Sequence, residues 1–195
     1  MTDFLLPSGD GHTELSDEDR VGLLPTYIAT RGELFDAEQR NIAEGLFNKR
    51  PSRAQLLDDK YLRDLHRSMF GNVWRWAGRY RTREPNIGID PRQIAVAVRD
   101  LVADTNAWVD HHSFEVDELC ARFHHRLVEI HPFPNGNGRH GRIATDLLLS
   151  CLGSVPFSWG IHLAVDTTSL RRLYVGALQR ADSGDITALL EFARS

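Results

Sequence analysis

The chain has 195 residues and 42% hydrophobic content, which is enough to bury one sizeable core and predicts a single domain over residues 21–195. Its formal net charge is −4, with 23 Lys and Arg against 27 Asp and Glu, so nucleic acid is excluded as the primary ligand. No apolar run approaches the ~20 residues of a membrane-spanning helix, which excludes a membrane as partner. Residues 1–20 lack the pattern of a secretion signal and are expected to be a loosely ordered start.

The two cysteines, Cys120 and Cys151, are isolated and lie inside apolar helical patterns. They form neither a disulfide framework nor a metal knuckle, so a cytoplasmic, reducing setting is expected.

The spacing of apolar residues along the chain predicts an all-α domain. The first helix is expected over residues 36–49, with Asp36 as its N-cap, and the second over residues 58–70, with Gly71 as its stop signal. The segment WRWAGRYRTREPNIGIDPRQ then predicts a loop or a small hairpin. Further helices are predicted from Pro91 to about residue 110 and over residues 116–130, 139–152, 167–181 and 186–193.

The most informative segment is residues 131–142, HPFPNGNGRHGR, which joins two of these helices. Glycines on both sides of Asn137 let backbone amides approach a ligand closely, and the next helix points its unpaired N–H groups at the same spot. This pattern predicts an anion site. Because Arg139 and Arg142 lie about one helical turn apart, their guanidinium groups are expected to hold neighbouring phosphates of one polyphosphate.

The start of the same loop carries the candidate reactive group. A neutral imidazole is the usual proton acceptor near pH 7, so His131 is expected to activate a hydroxyl group for displacement at a bound phosphorus. An apolar aromatic in so polar a run is costly to expose, so Phe133 is expected to anchor the loop.

The fixed residues of this loop, His-x-Phe-x-x-Gly-Asn-Gly-Arg-x-x-Arg, resemble the signature of the Fic family, and all of them are present. The stretches WAGRYRTREPNIGI, ARFHHRLVEIHPF and SGDITALLEFA also resemble the family's pattern, so the resemblance spans roughly residues 55–193. The text TRGELFDAEQRNI resembles a subgroup called mobile mystery protein B, which is usually encoded beside a small helix-turn-helix protein. The resemblance implies a Fic-type helical domain with a small β-hairpin flap, and such a partner protein encoded nearby.

The resemblance also implies a reaction, the transfer of AMP from Mg-ATP to a Ser, Thr or Tyr hydroxyl of a target protein. His131 would be the general base and Arg142 would hold the γ-phosphate. The residues around the α- and β-phosphates would be Gly136, Asn137, Gly138 and Arg139. The flap, which would align the target's backbone by strand addition, would comprise Thr82, Arg83, Glu84, Pro85, Asn86, Ile87, Gly88 and Ile89.

One position departs from the family's pattern. Fic proteins usually have Asp or Glu two residues after Phe133 to hold Mg²⁺, and this chain has Asn135. An amide oxygen can ligate Mg²⁺ or Mn²⁺ but adds no negative charge, so the metal is expected to depend more on the phosphates of ATP. Two alternatives therefore stay open, a weakly active or inactive nucleotide-binding partner in a toxin-antitoxin-like pair and a phosphotransferase. A kinase-like branch of the family differs at the position of Gly138. Because this chain retains the glycine, AMP transfer is favoured over phosphate transfer.

Three other features allow a second interpretation. Glu44 lies in a partial match to the family's inhibitory helix, with Arg40 in place of the expected hydroxyl residue, and an ordinary exposed glutamate is favoured. His125 and Glu129 lie four residues apart, but no second pair completes a zinc site. The Trp, Tyr and Arg residues between positions 74 and 83 are assigned to a packed loop with a solvated basic rim. The sequence leaves an oligomer open.

Overall fold

The computed structural model describes residues 21–83, 87–163 and 165–195. The expected loose start, residues 1–20, and the flap residues Glu84, Pro85 and Asn86 lie outside these ranges. The described residues form eight α-helices and a 3-10 turn at Pro91–Gln93: α1 Arg31–Leu46, α2 Arg53–Leu56, α3 Asp59–Phe70, α4 Ile94–Asp110, α5 Val116–Ile130, α6 Asn137–Cys151, α7 Thr167–Asp182 and α8 Thr187–Arg194. The all-α fold class is confirmed.

The first helix begins five residues earlier than the sequence pattern predicted. Its N-cap is Thr30, whose hydroxyl accepts a hydrogen bond from the N–H of Glu33, while the Glu33 carboxylate accepts one from the N–H of Thr30. This reciprocal capping box satisfies two backbone donors, and it outweighs the single cap that Asp36 offered. A short helix that was not predicted, α2, starts with the same device at Ser52.

The helices around the central loop match their predicted bounds more closely. Helix α5 spans Val116–Ile130 as predicted, and α6 begins at Asn137, two residues before the predicted start. Helix α5 packs against both α4 and α6, α1 packs against α3, and α7 packs against α8. The core between them is built from fully buried side chains that include Met69, Phe70, Phe123, Leu127 and Leu148.

The predicted flap hairpin is not seen. Within the described part of the flap, residues 82, 83 and 87–89, the backbone forms no strand, and an isolated bridge joins Leu23 to Trp74 instead. The physical reason is that the carbonyl groups of Arg83 and Ile89 accept hydrogen bonds from the guanidinium group of Arg81. A cross-strand N–H group would need those same acceptors.

None of the helices in the described ranges combines the length and the apolar character needed to cross a lipid bilayer. The thiols of Cys120 and Cys151 are both free.

Candidate functional site

The loop between α5 and α6 starts and ends with residues in the left-handed backbone region. His131, directly after α5, has φ 52° and ψ 59°, and Gly136, directly before α6, has φ 78°. A Cβ atom at Gly136 would lie 2.7 Å from two ring atoms of Phe70, so both the backbone angle and the packing require glycine there. His131 adopts a conformation that costs about 1–2 kcal/mol for a residue with a side chain, so its surroundings must hold it.

Asn137 closes the loop from inside. Its side-chain oxygen accepts a hydrogen bond from the N–H of Phe133 at 2.9 Å, and its side-chain nitrogen donates to the carbonyl of Phe133 at 2.8 Å. The side chain predicted to lie beside the phosphates is thus occupied within the protein, and its residue is 3% exposed. What Asn137 offers a ligand is its backbone N–H group.

The first turn of α6 lies where the glycines predicted an anion site. The first bond of the helical ladder runs from the N–H of His140 to the carbonyl of Gly136, so the N–H groups of residues 137–139 precede the ladder. A Cβ atom at Gly138 would meet no atom closer than the Tyr174 hydroxyl at 3.9 Å. Protein packing therefore does not require glycine at position 138. A ligand that approaches the backbone closely would require glycine there.

Phe133 is 1% exposed and lies in a group of aromatic rings under the loop. Its ring stacks on that of His66, with centroids 3.8 Å apart and an interplanar angle of 27°, and meets His140 edge-on. The structure thus places Phe133 in the core, as the anchor prediction requires.

His66 supports the loop through a fixed tautomer, although sequence reasoning assigned it no role. Its Nδ1 accepts a hydrogen bond from the N–H of Gly78, so the ring proton sits on Nε2 and is donated to the carbonyl of Asn135. Burial holds the pKa of His66 well below its usual value, and burial lowers the pKa of His140 to about 4. Both rings are neutral scaffold groups, and the distance of His66 from the loop in sequence concealed its contact with Asn135.

The side chain of Asn135 does not form a metal site with its neighbours. Its oxygen accepts a hydrogen bond from the N–H of Gly136 at 2.7 Å, which turns it toward the loop's own backbone. Among the described residues no group of three or more His, Cys, Asp and Glu side chains is placed to hold a metal ion. His125 contacts Asp182, and Glu129 pairs with Arg126. The described residues therefore do not form a complete Mg²⁺ site by themselves, and a metal ligated by Asn135 stays a prediction.

The two arginines of the loop are held by different partners. Arg139 forms an ion pair with Glu38 of α1 at 2.7 Å, in which the side chains are 13% and 7% exposed, and its guanidinium carbon lies 4.8 Å from the centroid of the Phe70 ring. The second oxygen of Glu38 accepts a hydrogen bond from the indole of Trp74 at 2.6 Å. Sequence reasoning missed Glu38, because nothing distinguishes it from the other acidic residues of an amphipathic helix.

Arg142 is buried beside α7. Its guanidinium carbon lies 5.3 Å from the centroid of the Tyr174 ring, and the Tyr174 hydroxyl is 2.8 Å from Nε2 of His124. Burial, with the nearby charge of Arg139, lowers the pKa of Arg142 to about 10, so the group stays protonated at neutral pH. A desolvated cation next to the first turn of α6 strengthens the attraction for an anion.

Among the described residues, the glutamate of α1 that contacts a loop arginine is Glu38 rather than Glu44. Glu44 is exposed and lines a shallow cavity of about 150 Å³ together with Arg40 and Asn41. This position agrees with the ordinary exposed glutamate favoured from the sequence.

His131 is half-buried at the opposite end of the loop from these arginines. Burial, followed by the positive charge of Arg81, lowers the pKa of its imidazole below the usual value, while the carbonyl of Val128 acts in the opposite direction. The ring is therefore neutral at pH 7 and available to accept a proton. Arg81, assigned from the sequence to a solvated basic rim, is in fact only 5% exposed.

The chain is similar to known proteins in sequence and in fold. The pattern of the Fic/DOC family matches residues 56–149. Protein adenylyltransferase fic-1 of Caenorhabditis elegans is 29% identical over 165 residues, which cover 81% of this chain and 30% of that protein. The chain thus spans less than a third of the length of this relative.

Two solved structures share the fold. The BepC protein of Bartonella tribocorum, solved with bound AMPPNP, has a TM-score of 0.68 and 18% identity, and the match covers 95% of this chain and 93% of that one. The N-terminal FIC domain of Bep8 from Bartonella sp. 1-1C has a TM-score of 0.69 and 16% identity, covering 90% and 95%. The match over residues 56–149 identifies a Fic/DOC family domain in this chain, and the two solved structures show the same helical fold.

Proposed function

We propose that this domain transfers AMP from ATP to a hydroxyl group of a target protein. The observation that carries the proposal is one short loop with a neutral, half-buried His131 at its start and, at its end, a helix N-terminus flanked by Arg139 and Arg142. Relatives of this chain that are named protein adenylyltransferases support the same reaction class.

The proposed step is an in-line displacement at the α-phosphorus of ATP. The hydroxyl oxygen of the target forms a bond to that phosphorus while the bond from phosphorus to the oxygen shared with the β-phosphate breaks, and pyrophosphate leaves. The proton of the hydroxyl passes to His131. The N–H groups at the start of α6 and the loop arginines stabilise the charge that develops on the phosphate oxygens.

The metal and the partners belong to the same proposal. Mg²⁺ or Mn²⁺ would neutralise phosphate charge and would be held by ATP rather than by Asn135, whose side-chain oxygen is bonded to the loop backbone. The target protein would dock beside residues 82–89. The resemblance to mobile mystery protein B suggests a small helix-turn-helix partner encoded nearby, and a cytoplasmic location remains part of the proposal.

The test is transfer of label from ATP to protein in a cell lysate. With α-labelled ATP the purified chain is expected to label a protein, itself included, whereas γ-labelled ATP should give no labelling beyond that of the lysate without the chain. His131→Ala should lower the rate by about 10²- to 10⁴-fold, because the general base is lost. His162→Ala, at an exposed position, is the control and should transfer at the wild-type rate. Label that arrives only from the γ-phosphate would indicate a phosphotransferase instead.

A second function, nucleotide binding without transfer, is favoured by one observation, the inward-turned oxygen of Asn135. Calorimetry separates the two functions. If the wild-type chain and His131→Ala bind ATP equally and neither labels any protein, the domain acts as a nucleotide-binding partner.

A further inference from the structure

Arg81 is a buried arginine whose donors converge on the residues that follow α5. Its Nε donates to the carbonyl of His131 at 2.6 Å, and its Nη2 donates to the carbonyl of Ile130 at 3.3 Å. Its backbone N–H donates to the carbonyl of Pro132 at 2.9 Å. One residue thus binds three consecutive carbonyl groups, and the middle one belongs to the proposed base.

The same guanidinium group also binds residues at both ends of the predicted flap segment, residues 82–89. Nη2 donates to the carbonyl of Ile89 at 2.5 Å, and Nη1 donates to the carbonyl of Arg83 at 3.2 Å. Gly88 then lies so close to the histidine that an added Cβ atom would be 2.6 Å from Cβ of His131. Arg81 therefore fixes both the backbone that carries the histidine and the segment packed against it.

This arrangement suits the chemistry of a helix C-terminus. The last carbonyl groups of a helix lack intrahelical partners and carry partial negative charge, and a nearby cation stabilises them. A guanidinium group provides five N–H donors in a rigid plane, whereas a lysine ammonium can provide the charge but not the fork. His131 needs such support because it is a non-glycine residue with a φ of 52°.

We propose that Arg81 is a positioning residue for His131, which fixes the left-handed turn that carries the imidazole by binding the carbonyl groups on both sides of it. Its role in transfer depends on the proposed function, but its effect on the placement of His131 does not. Arg81 acts through His131 and not on the phosphates, which the proposed function places at the other end of the loop.

The first experiment separates positioning from binding. Arg81→Gln and Arg81→Lys are compared with Arg79→Gln, a control at an exposed position two residues earlier. In both Arg81 variants, kcat for label transfer, counted per ATP-binding site, should fall by about 10- to 100-fold. The reason is that a base displaced by a fraction of an ångström is badly oriented. The Kd for ATP from calorimetry should stay within about threefold of wild type.

Counting turnover per ATP-binding site removes any loss through misfolding. If kcat per site is unchanged in both variants, Arg81 has only a structural role and the proposal is wrong. If the affinity for ATP falls in parallel with transfer, Arg81 acts on the nucleotide and the proposal is also wrong.

The second experiment does not require activity. In the nucleotide-free protein, the NMR signals of the His131 ring and of the backbone amides of residues 130, 131 and 133 should shift in both Arg81 variants and stay unchanged in Arg79→Gln. Unshifted signals would overturn the proposal. If the wild-type chain transfers no label, the proposed function fails, and the NMR comparison still decides whether Arg81 places His131.

Discussion

The unpaired backbone groups at the two helix ends that meet at the loop have different surroundings. At the C-terminal end of α5, the carbonyl groups of residues 130–132 are bound by Arg81, a buried cation of the protein itself. At the N-terminal end of α6, the N–H groups precede the helical ladder and Gly138 leaves space in front of them. The protein thus neutralises the negative helix end internally, and in the proposed function the positive end is left to the phosphates of ATP.

The largest effect is expected from low pH, which removes the support beneath both ends. Burial holds the pKa of His66 well below its usual value and lowers those of His140 and His124 to about 4 and about 3. The unfolded chain therefore binds more protons than the folded one once the pH falls below about 6.5, and the free energy of unfolding decreases. Asp146 opposes this below about pH 6, because burial raises its pKa to about 6.

These three histidines outweigh the one aspartate, so the free energy of unfolding still decreases as the pH falls. The free energy of unfolding should fall by about 1.4 kcal/mol per pH unit for each net proton, which amounts to several kcal/mol between pH 6.5 and pH 4. Urea unfolding at a series of pH values measures it, and His140→Gln should reduce the slope by about one proton. A stability that stays constant over this range would mean that these rings are protonated in the folded protein.

The next largest effect is expected at the N-terminal end of α6. Arg142→Met keeps an apolar stem of similar length beside Tyr174 but removes the charge-assisted bonds to a phosphate. The affinity for ATP should fall by about 10- to 100-fold, as expected for hydrogen bonds to charged groups. Calorimetry measures the affinity, with Arg126→Met, in a surface ion pair, as the control. Equal ATP affinity in both variants would show that the phosphates bind elsewhere.

A smaller and two-sided effect is expected from Glu38→Gln. The amide can still accept from Trp74, but the ion pair with Arg139 is lost, so the free energy of unfolding should fall by about 1–3 kcal/mol. The affinity for ATP should rise severalfold, because the positive charge of Arg139 is no longer neutralised. Glu44→Gln, at an exposed position on the same helix, should change neither quantity. If Glu44→Gln raises the affinity for ATP and Glu38→Gln does not, Glu44 is the inhibitory residue.

The smallest effect is expected from Gly88→Ala, which acts on the C-terminal end of α5. The new methyl group would displace His131, so transfer should fall by about tenfold while ATP affinity stays constant. Gly153→Ala is a matched control, because Gly153 also has positive φ but an added Cβ would contact nothing within 4 Å. Transfer at the wild-type rate in Gly88→Ala would mean that the contact between Gly88 and His131 does not determine where the imidazole lies.

The sequence predicted the parts of the site that are close together along the chain. The bounds of α5, the left-handed glycine before α6 and the burial of Phe133 all follow from spacing and composition within residues 116–142. The supporting contacts could not be predicted, because their partners are far apart in sequence: Glu38 with Arg139, His66 with Asn135 and Arg81 with His131. The hairpin prediction failed for a different reason, since the side chain of Arg81 binds carbonyl groups of nearby residues that a strand would have used.

The double hydrogen bond between Asn137 and Phe133 limits which residues can replace the asparagine. The site requires one donor and one acceptor on a short, planar stem, aimed at the N–H and the carbonyl of a single residue. Aspartate lacks the donor, glutamine is one carbon too long, and serine cannot span both groups at once. Because the loop is already closed by its own asparagine, a nucleotide that binds as proposed would order little backbone, so most of the interaction free energy would remain available for affinity.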